Sequence, residues 1–248
     1  MTKRIPAEVQ KFIDKYFALD IAGKKVVCPY YINLGGMLKD PVMAGKGDPL
    51  EIEERASGIF SHIDLMDKSE DFIRTEMMDN GLGVDCSGLV YQTLNMWLRD
   101  VAQKGELKDF LPKENSFNPR KMLSRLLKPQ SSVNADMLTS EPLSQKIDVK
   151  DVQPGDLIRT RGGKHILLIT EVNYDSAGKP SKITFANSAR EYKRNGVRYS
   201  TITLNGDQDL ATAEWSDNDP AEDVNYAYKG YRELMENNGI FRPQLPLY

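Results

Sequence analysis

Cysteine and histidine are scarce in this 248-residue chain, with two of each: Cys28, Cys86, His62 and His165. Two cysteines make no disulfide framework, and two histidines are too few for most metal sites. No Cys-x-x-Cys, His-x-x-x-His or P-loop spacing occurs. Zinc enzymes and the common nucleotide enzymes are therefore disfavoured, and no metal or organic cofactor is expected. An excess of one charge is missing too, with 33 basic against 36 acidic side chains and a net charge of −3. Polyanion binding needs a basic field, so nucleic acid is not an expected partner. No apolar run approaches the roughly 18 residues of a membrane-spanning helix, so no membrane span is expected. Lys3 and Arg4 are not followed by an apolar core, so a secretory signal is not expected. The expectation is a cytoplasmic protein, one exported by a non-classical or phage or effector route, or one that has lost its leader.

What remains has an ordinary globular balance, 40 % apolar and 28 % charged. At about 150 residues per domain the length points to one large domain or a domain with insertions. Val9, Phe12, Ile13, Tyr16 and Phe17 mark an amphipathic helix over 7–19. Residues 25–32 read as a short extended piece ended by Gly35 and Gly36. Residues 37–82 read as an insertion or lid, helical from about 50 to 78, and 105–150 as a second helical or loop insertion. Within the second, a short helix is expected from Pro119 to Leu127, capped by Asn118.

Leu89, Val90, Leu94, Trp97, Leu98 and Val101 share one helical face. Asp85 stands where an N-cap belongs and Gly105 where a stop belongs, so a helix is expected over 86–103. From Pro154 onward the texture is that of strands: 157–160, 165–172, 183–187, 197–204, and a further one including Tyr226–Tyr231. Residues 205–224 hold seven acidic side chains and no basic one, which reads as a solvated loop. Helices first and consecutive strands afterwards give an α+β fold.

Cys86 falls on the first turn of the 86–103 helix. Free amides and the helix dipole there favour an anion, lower a thiol pKa and suit a nucleophile. Asp85 acts against the thiolate electrostatically, and its expected job is the cap. A free cysteine can equally be a small buried residue. His165 opens a strand apolar on both faces, where a histidine is either a satisfied core residue or an acid–base group. If strands 165–172 and 183–187 pair about a register centred near Ser176, Asn187 lies opposite His165 and can orient the imidazole. A one-residue slip would turn Asn187 to the other face and leave Ser188 as the partner.

Asp85-Cys86-Ser87-Gly88-Leu89-Val90, then Pro154-Gly155-Asp156-Leu157-Ile158, then His165-Ile166 resemble the NlpC-type cysteine peptidases, papain-like enzymes many of which cut peptides of the bacterial cell wall. The resemblance implies a papain-like α+β domain spanning 1–248, with the nucleophile at a helix N-terminus packed against an antiparallel sheet. It implies Cys86 as nucleophile, His165 as base and Asn187 as its orienter. Family members often carry Pro-Tyr-x-x-Gly-Gly, whose tyrosine helps bind the oxyanion. Pro29-Tyr30 matches that, with Gly35-Gly36 two residues late and Tyr31 as the alternative. Gly239-Ile240-Phe241-Arg242-Pro243 resembles the family's closing strand. The likeness covers residues 25–36, 83–103, 152–204 and that last strand, about half the chain. It departs from the family in the 48 residues between Gly36 and Asp85 and in the long stretch 105–150. No wall-binding repeat is present.

The remaining residues have plainer readings. Ser87 is a small first-turn residue beside the nucleophile and a candidate substrate contact, as are Tyr31 and Arg190. The backbone N–H of Cys86 is the better oxyanion donor. Arg190, Lys193, Arg194 and Arg198 could receive carboxylates of a wall-type peptide, or form a solvated hairpin rim. Cys28 is read as a packed thiol, His62 as a surface residue, and Met77, Met78, Met96 and Trp97 as core. The expected chemistry is cleavage of an amide bond through a thiol acyl-enzyme, on a peptide or peptidoglycan-fragment substrate. An acyltransferase, a deamidase-type effector using the same thiol, and a silent binding module on this fold are the alternatives.

Overall fold

The computed structural model describes residues 1–32, 40–112, 128–190, 196–206, 208–216, 218–219 and 224–247. The first half runs β1 (Thr2–Arg4), α1 (Ala7–Tyr16), β2 (Leu19–Ile21), β3 (Lys24–Val26), α2 (Pro49–Phe60), α3 (Glu70–Asp79) and α4 (Cys86–Met96). After a short α5 (Ala135–Leu138) come β4 (Ser144–Ile147), β5 (Leu157–Thr160), β6 (His165–Tyr174), β7 (Pro180–Ser188) and β8 (Val197–Thr203). The chain then makes β9 (Glu214–Trp215), β10 (Asn218–Asp219), β11 (Val224–Asn225), α6 (Tyr226–Arg232) and β12 (Gly239–Pro243). Helix and antiparallel sheet are mixed in the α+β manner. Two compact units form, one of Met1–Gln10, Asn134–Asn187 and Tyr199–Pro246, the other of Lys11–Val133, Ser188–Arg198 and Leu247–Tyr248.

The first unit holds nearly all of the sheet, in the order β4-β12-β5-β6-β7-β8-β9, with β1 added to β6. β6 is central, flanked by β5 and β7. Its residues Ile166–Ile169 are all buried, as expected of a strand apolar on both faces. Ile158, Leu167, Ile169, Ile183, Phe185, Ile202, Trp215, Tyr231 and Ile240 form the core on one side. Phe185 meets Trp215 edge-on at 5.8 Å between ring centres. Asp156, in the Pro-Gly-Asp-Leu turn, is buried and takes both its oxygens to Arg242 of β12, at 2.9 Å each. It also accepts from the Gln153 amide at 2.8 Å. The turn and the closing strand, two separate signals in the sequence, are thus one structural unit.

The second unit holds most of the helices. α2 begins with a capping box, in which Asp48 accepts from Glu51 N and the Glu51 side chain accepts from Asp48 N. Ser69 caps α3. Ile52, Ala56, Phe60, Ile73 and Met77 are buried, so the segment read as an insertion supplies much of this unit's interior. α4 is buried at nearly every position, the mark of an interior helix.

Several expectations need correction. The first helix ends at Tyr16, and Leu19–Val26 fold into the β2–β3 hairpin. Ala22 and Gly23, both at positive φ, make its two-residue turn. The helix expected over 86–103 is α4 followed by a wider π turn to Ala102. It ends on Gln103, which takes the left-handed conformation two residues before Gly105. Tyr226–Tyr231 is helix, not strand. Its buried residues are Ala227, Gly230 and Tyr231, the i, i+3, i+4 spacing of a helix face. The acidic stretch is more than a solvated loop, because Leu210, Ala213 and Trp215 are core residues there. β1 and β4 went unread in the sequence. The helix expected from Pro119 to Leu127 lies outside the described residues.

The Asp156–Arg242 tie yields a stability prediction. Arg242→Met strands a buried carboxylate and costs about 3 kcal/mol by urea unfolding, while Asp156→Asn in that background recovers part of it. Burial already pushes the Asp156 carboxyl up, and Arg242 opposes that. Without the guanidinium the folded state keeps its proton to higher pH than the unfolded chain does. The loss is then full at neutral pH and shrinks as the pH falls and the carboxyl becomes neutral. A loss below about 0.5 kcal/mol at pH 7 would show that the tie is dispensable.

Candidate active site

Asp85 caps α4 from an extended conformation, and its Oδ1 accepts from the Gly88 amide at 2.6 Å. Cys86 is therefore the first residue of the helix proper, where backbone amides lack partners within the helix. It is 6 % exposed. Ser87 is buried as well, and its hydroxyl donates to Asp85 Oδ1 at 3.0 Å. This engages Ser87 inside the turn rather than toward solvent.

The backbone of Gly45-Lys46-Gly47 lies across this turn. Gly45 O accepts from Asp85 N at 2.9 Å, Lys46 bridges to Val84, and Lys46 O accepts from Gln92 Nε2 of α4 at 2.6 Å. Gly47 O accepts from the Tyr16 hydroxyl at 3.0 Å. The approach is close enough to dictate glycine. A Cβ on Gly88 would stand 2.1 Å from Gly45 O, and one on Gly45, at φ 82°, would stand 2.2 Å from Tyr31 O. Gly88 in the Asp-Cys-Ser-Gly run is thus there because another strand of backbone rests on it. Lys46 is the residue the sequence reading missed. Two flanking glycines were the available signal, since they mark a close backbone approach.

Tyr30 and Tyr31 belong to the same unit. Both are half-buried. Tyr30 has its backbone nitrogen pressed against Gly196, where a Cβ would come within 2.3 Å. The Tyr31 phenol lies along the turn leading to Cys86, 3.4 Å from where a Cβ on Gly81 would be. Arg190 is exposed and Arg198 half-buried. Gly35, Gly36, Lys193 and Arg194 lie outside the described residues. Cys28 is buried, and desolvation drives its thiol pKa far up, against smaller opposing effects from Arg74 and the Val84 amide. His62 is exposed, while Met77, Met96 and Trp97 are buried and Met78 half-buried.

His165 and Asn187 are in the other unit, and the structure brings them together: His165 Nε2 and Asn187 Oδ1 are 2.9 Å apart. The register that does so differs from the expected one. Leu168 pairs with Ala186 and Ile169 with Phe185, and a bulge intervenes before Glu171 pairs with Thr184. Continuing that ladder sets Asn187 beside Leu167, one diagonal step from His165. An offset of two residues keeps the face, and a diagonal neighbour about 7–8 Å away by Cα remains within reach of long side chains. Ser188 is not the partner. Its hydroxyl donates to Val84 O at 2.7 Å.

The hydrogen bond sets the tautomer. A carboxamide oxygen only accepts, so the proton sits on Nε2, and in the neutral ring Nδ1 is the acceptor. His165 is half-buried while Asn187 is 1 % exposed, so the carboxamide is enclosed and the imidazole is not fully so. Among the described residues no three His, Cys, Asp or Glu side chains are placed to hold a metal ion. None of the helices among those residues is long and apolar enough to cross a membrane.

No family model, no curated protein and no solved structure matches this chain.

The His165–Asn187 geometry predicts a measurable tautomer. Imidazole ¹⁵N shifts above the His165 pKa report the Nε2–H form in the parent and a mixture in Asn187→Ala. The same tautomer balance in both proteins would mean that Asn187 does not orient the ring.

Proposed function

We propose that this protein is a papain-like thiol hydrolase that cleaves amide bonds in cell-wall-type peptides. The observation that carries the reading is the His165–Asn187 hydrogen bond, which leaves Nδ1 as the acceptor of the ring. The position of Cys86 on the first turn of a capped helix supports it from the side of the nucleophile. The sequence likeness to NlpC-type peptidases supplies the substrate class.

In this mechanism His165 Nδ1 takes the proton from Cys86 Sγ, and the sulfur attacks the amide carbonyl carbon. The backbone N–H of Cys86 and the Tyr30 hydroxyl steady the oxyanion. His165 returns its proton to the leaving nitrogen as the C–N bond breaks, and an acyl-enzyme remains. Water, deprotonated by His165, attacks that thioester, releases the acid and restores the thiol. Asn187 keeps the imidazole in the working tautomer throughout. The exposed Arg190 is a contact for a substrate carboxylate. The reading requires Cys86 Sγ and His165 Nδ1 to meet in the working enzyme.

Product analysis tests it. Incubation with a panel of cell-wall peptides is expected to give two fragments whose summed mass exceeds the substrate by one water. Cys86→Ala abolishes cleavage, and His165→Ala slows it by about 10²–10⁴-fold. Ammonia release without cleavage would assign a deamidase, and an amine adduct a transferase. Cleavage that survives Cys86→Ala, or a parent protein inert toward the whole panel, would overturn the proposal.

A further inference from the structure

The turn that carries Cys86 contains an electrostatic conflict. Asp85 is 1 % exposed and adjoins the thiol, so its negative charge opposes a thiolate. Lys46 answers it. Its side chain is 7 % exposed, and Nζ donates to Asp85 Oδ1 at 2.8 Å and also to Ser87 Oγ. The backbone of Lys46 is fixed independently, to α4 through Gln92 and to the residues before its cap through the Val84 bridge. A surface lysine seeking any carboxylate would not be held at both ends. Charges this far from solvent interact strongly, because water does not screen them.

We infer that Lys46 is a positioning residue for the thiol chemistry: its ammonium cancels the Asp85 charge, so the amides at the start of α4 act on Cys86 without opposition and favour the thiolate. The inference rests on the reading of Cys86 as nucleophile and names the device that activates it. It also gives the 37–82 segment a part in the chemistry, through Gly45-Lys46-Gly47.

Other charged and titratable groups surround the cluster. Asp48 and Glu51 lie at the start of α2, and burial pushes the Glu51 carboxyl up. Tyr16 faces the cluster from α1. Its burial, with the charges of Cys28, Asp48, Glu51 and Asp85 adding to it, holds the phenol neutral. Arg74 acts on Cys28. Of these charged side chains, Lys46 is the one that bonds directly to Asp85 among the described residues.

The test is a pH titration of Cys86 followed by thiolate ultraviolet absorbance, with the Cys86→Ser protein as blank. Lys46→Met is expected to raise the apparent pKa by about one unit, or about tenfold less thiolate at a given pH. Lys46→Arg keeps the parent value. Adding Asp85→Asn to Lys46→Met brings the pKa back down, because the charge that needed cancelling is gone. A purely structural lysine would move the thermal midpoint and show no such rescue. Should Lys46→Met fail to fold, the double variant is compared with Asp85→Asn alone, and the loss of the ammonium in that background is expected to raise the thiol pKa. A Cys86 pKa that is the same in all folded variants overturns the role of Lys46. An ordinary thiol pKa in the parent would instead count against the hydrolase reading, whereas the shift between variants judges Lys46 by itself.

Discussion

Asp85 must cap α4 from inside the protein, and a buried carboxylate has to be matched there by donors. Three converge on one oxygen: the Gly88 amide, the Ser87 hydroxyl and the Lys46 ammonium. Leaving such a group unmatched would cost several kcal/mol. Much of the second unit follows from meeting that demand. Lys46 reaches Asp85 only if its backbone lies on the helix start, which calls for glycine at 45 and 88 and is fastened by Gln92. Tyr16 then closes the far end by bonding to Gly47. The first turn of α4 is consequently rigid, and Cys86 is presented by it rather than by a mobile loop.

The first unit treats its histidine in a comparable way. β6 is buried along its middle and pinned by β5 and β7, so His165 at its end has little freedom in the backbone. Asn187, buried on the neighbouring strand, fixes the ring. Asp156 and Arg242 lock the turn before β5 to β12 on its other side. Each unit thus holds one chemically capable side chain on a supported backbone, which is what the proposed chemistry asks of Cys86 and of His165.

Elements with strong local periodicity were legible in the sequence. Leu89, Val90, Leu94 and Trp97 announce α4, and the His165–Val172 run announces β6. Asp85 is recognisable as a cap from position alone. Where context overrides pattern, the reading failed. The three tyrosines at 226, 228 and 231 look like a strand until burial shows a helical face. The bulge after Ile169 shifts the β6–β7 register in a way no turn residue announces, and only the even offset keeps Asn187 on the face of His165 and within reach of it. The glycines beside Lys46 mark a close backbone approach, but its partner Asp85 stands 39 residues away and only the fold brings the two together.

The proposed hydrolase needs Cys86 and His165 to work as a thiolate–imidazolium pair. The direct measurement is the pH dependence of iodoacetamide labelling, resolved by peptide mass mapping, in the parent and in His165→Ala. The account predicts that Cys86 is labelled well below pH 8, that Cys28 stays unlabelled in the folded protein, and that His165→Ala moves Cys86 toward an ordinary thiol profile. Labelling of Cys86 that is the same whatever occupies position 165 would contradict it.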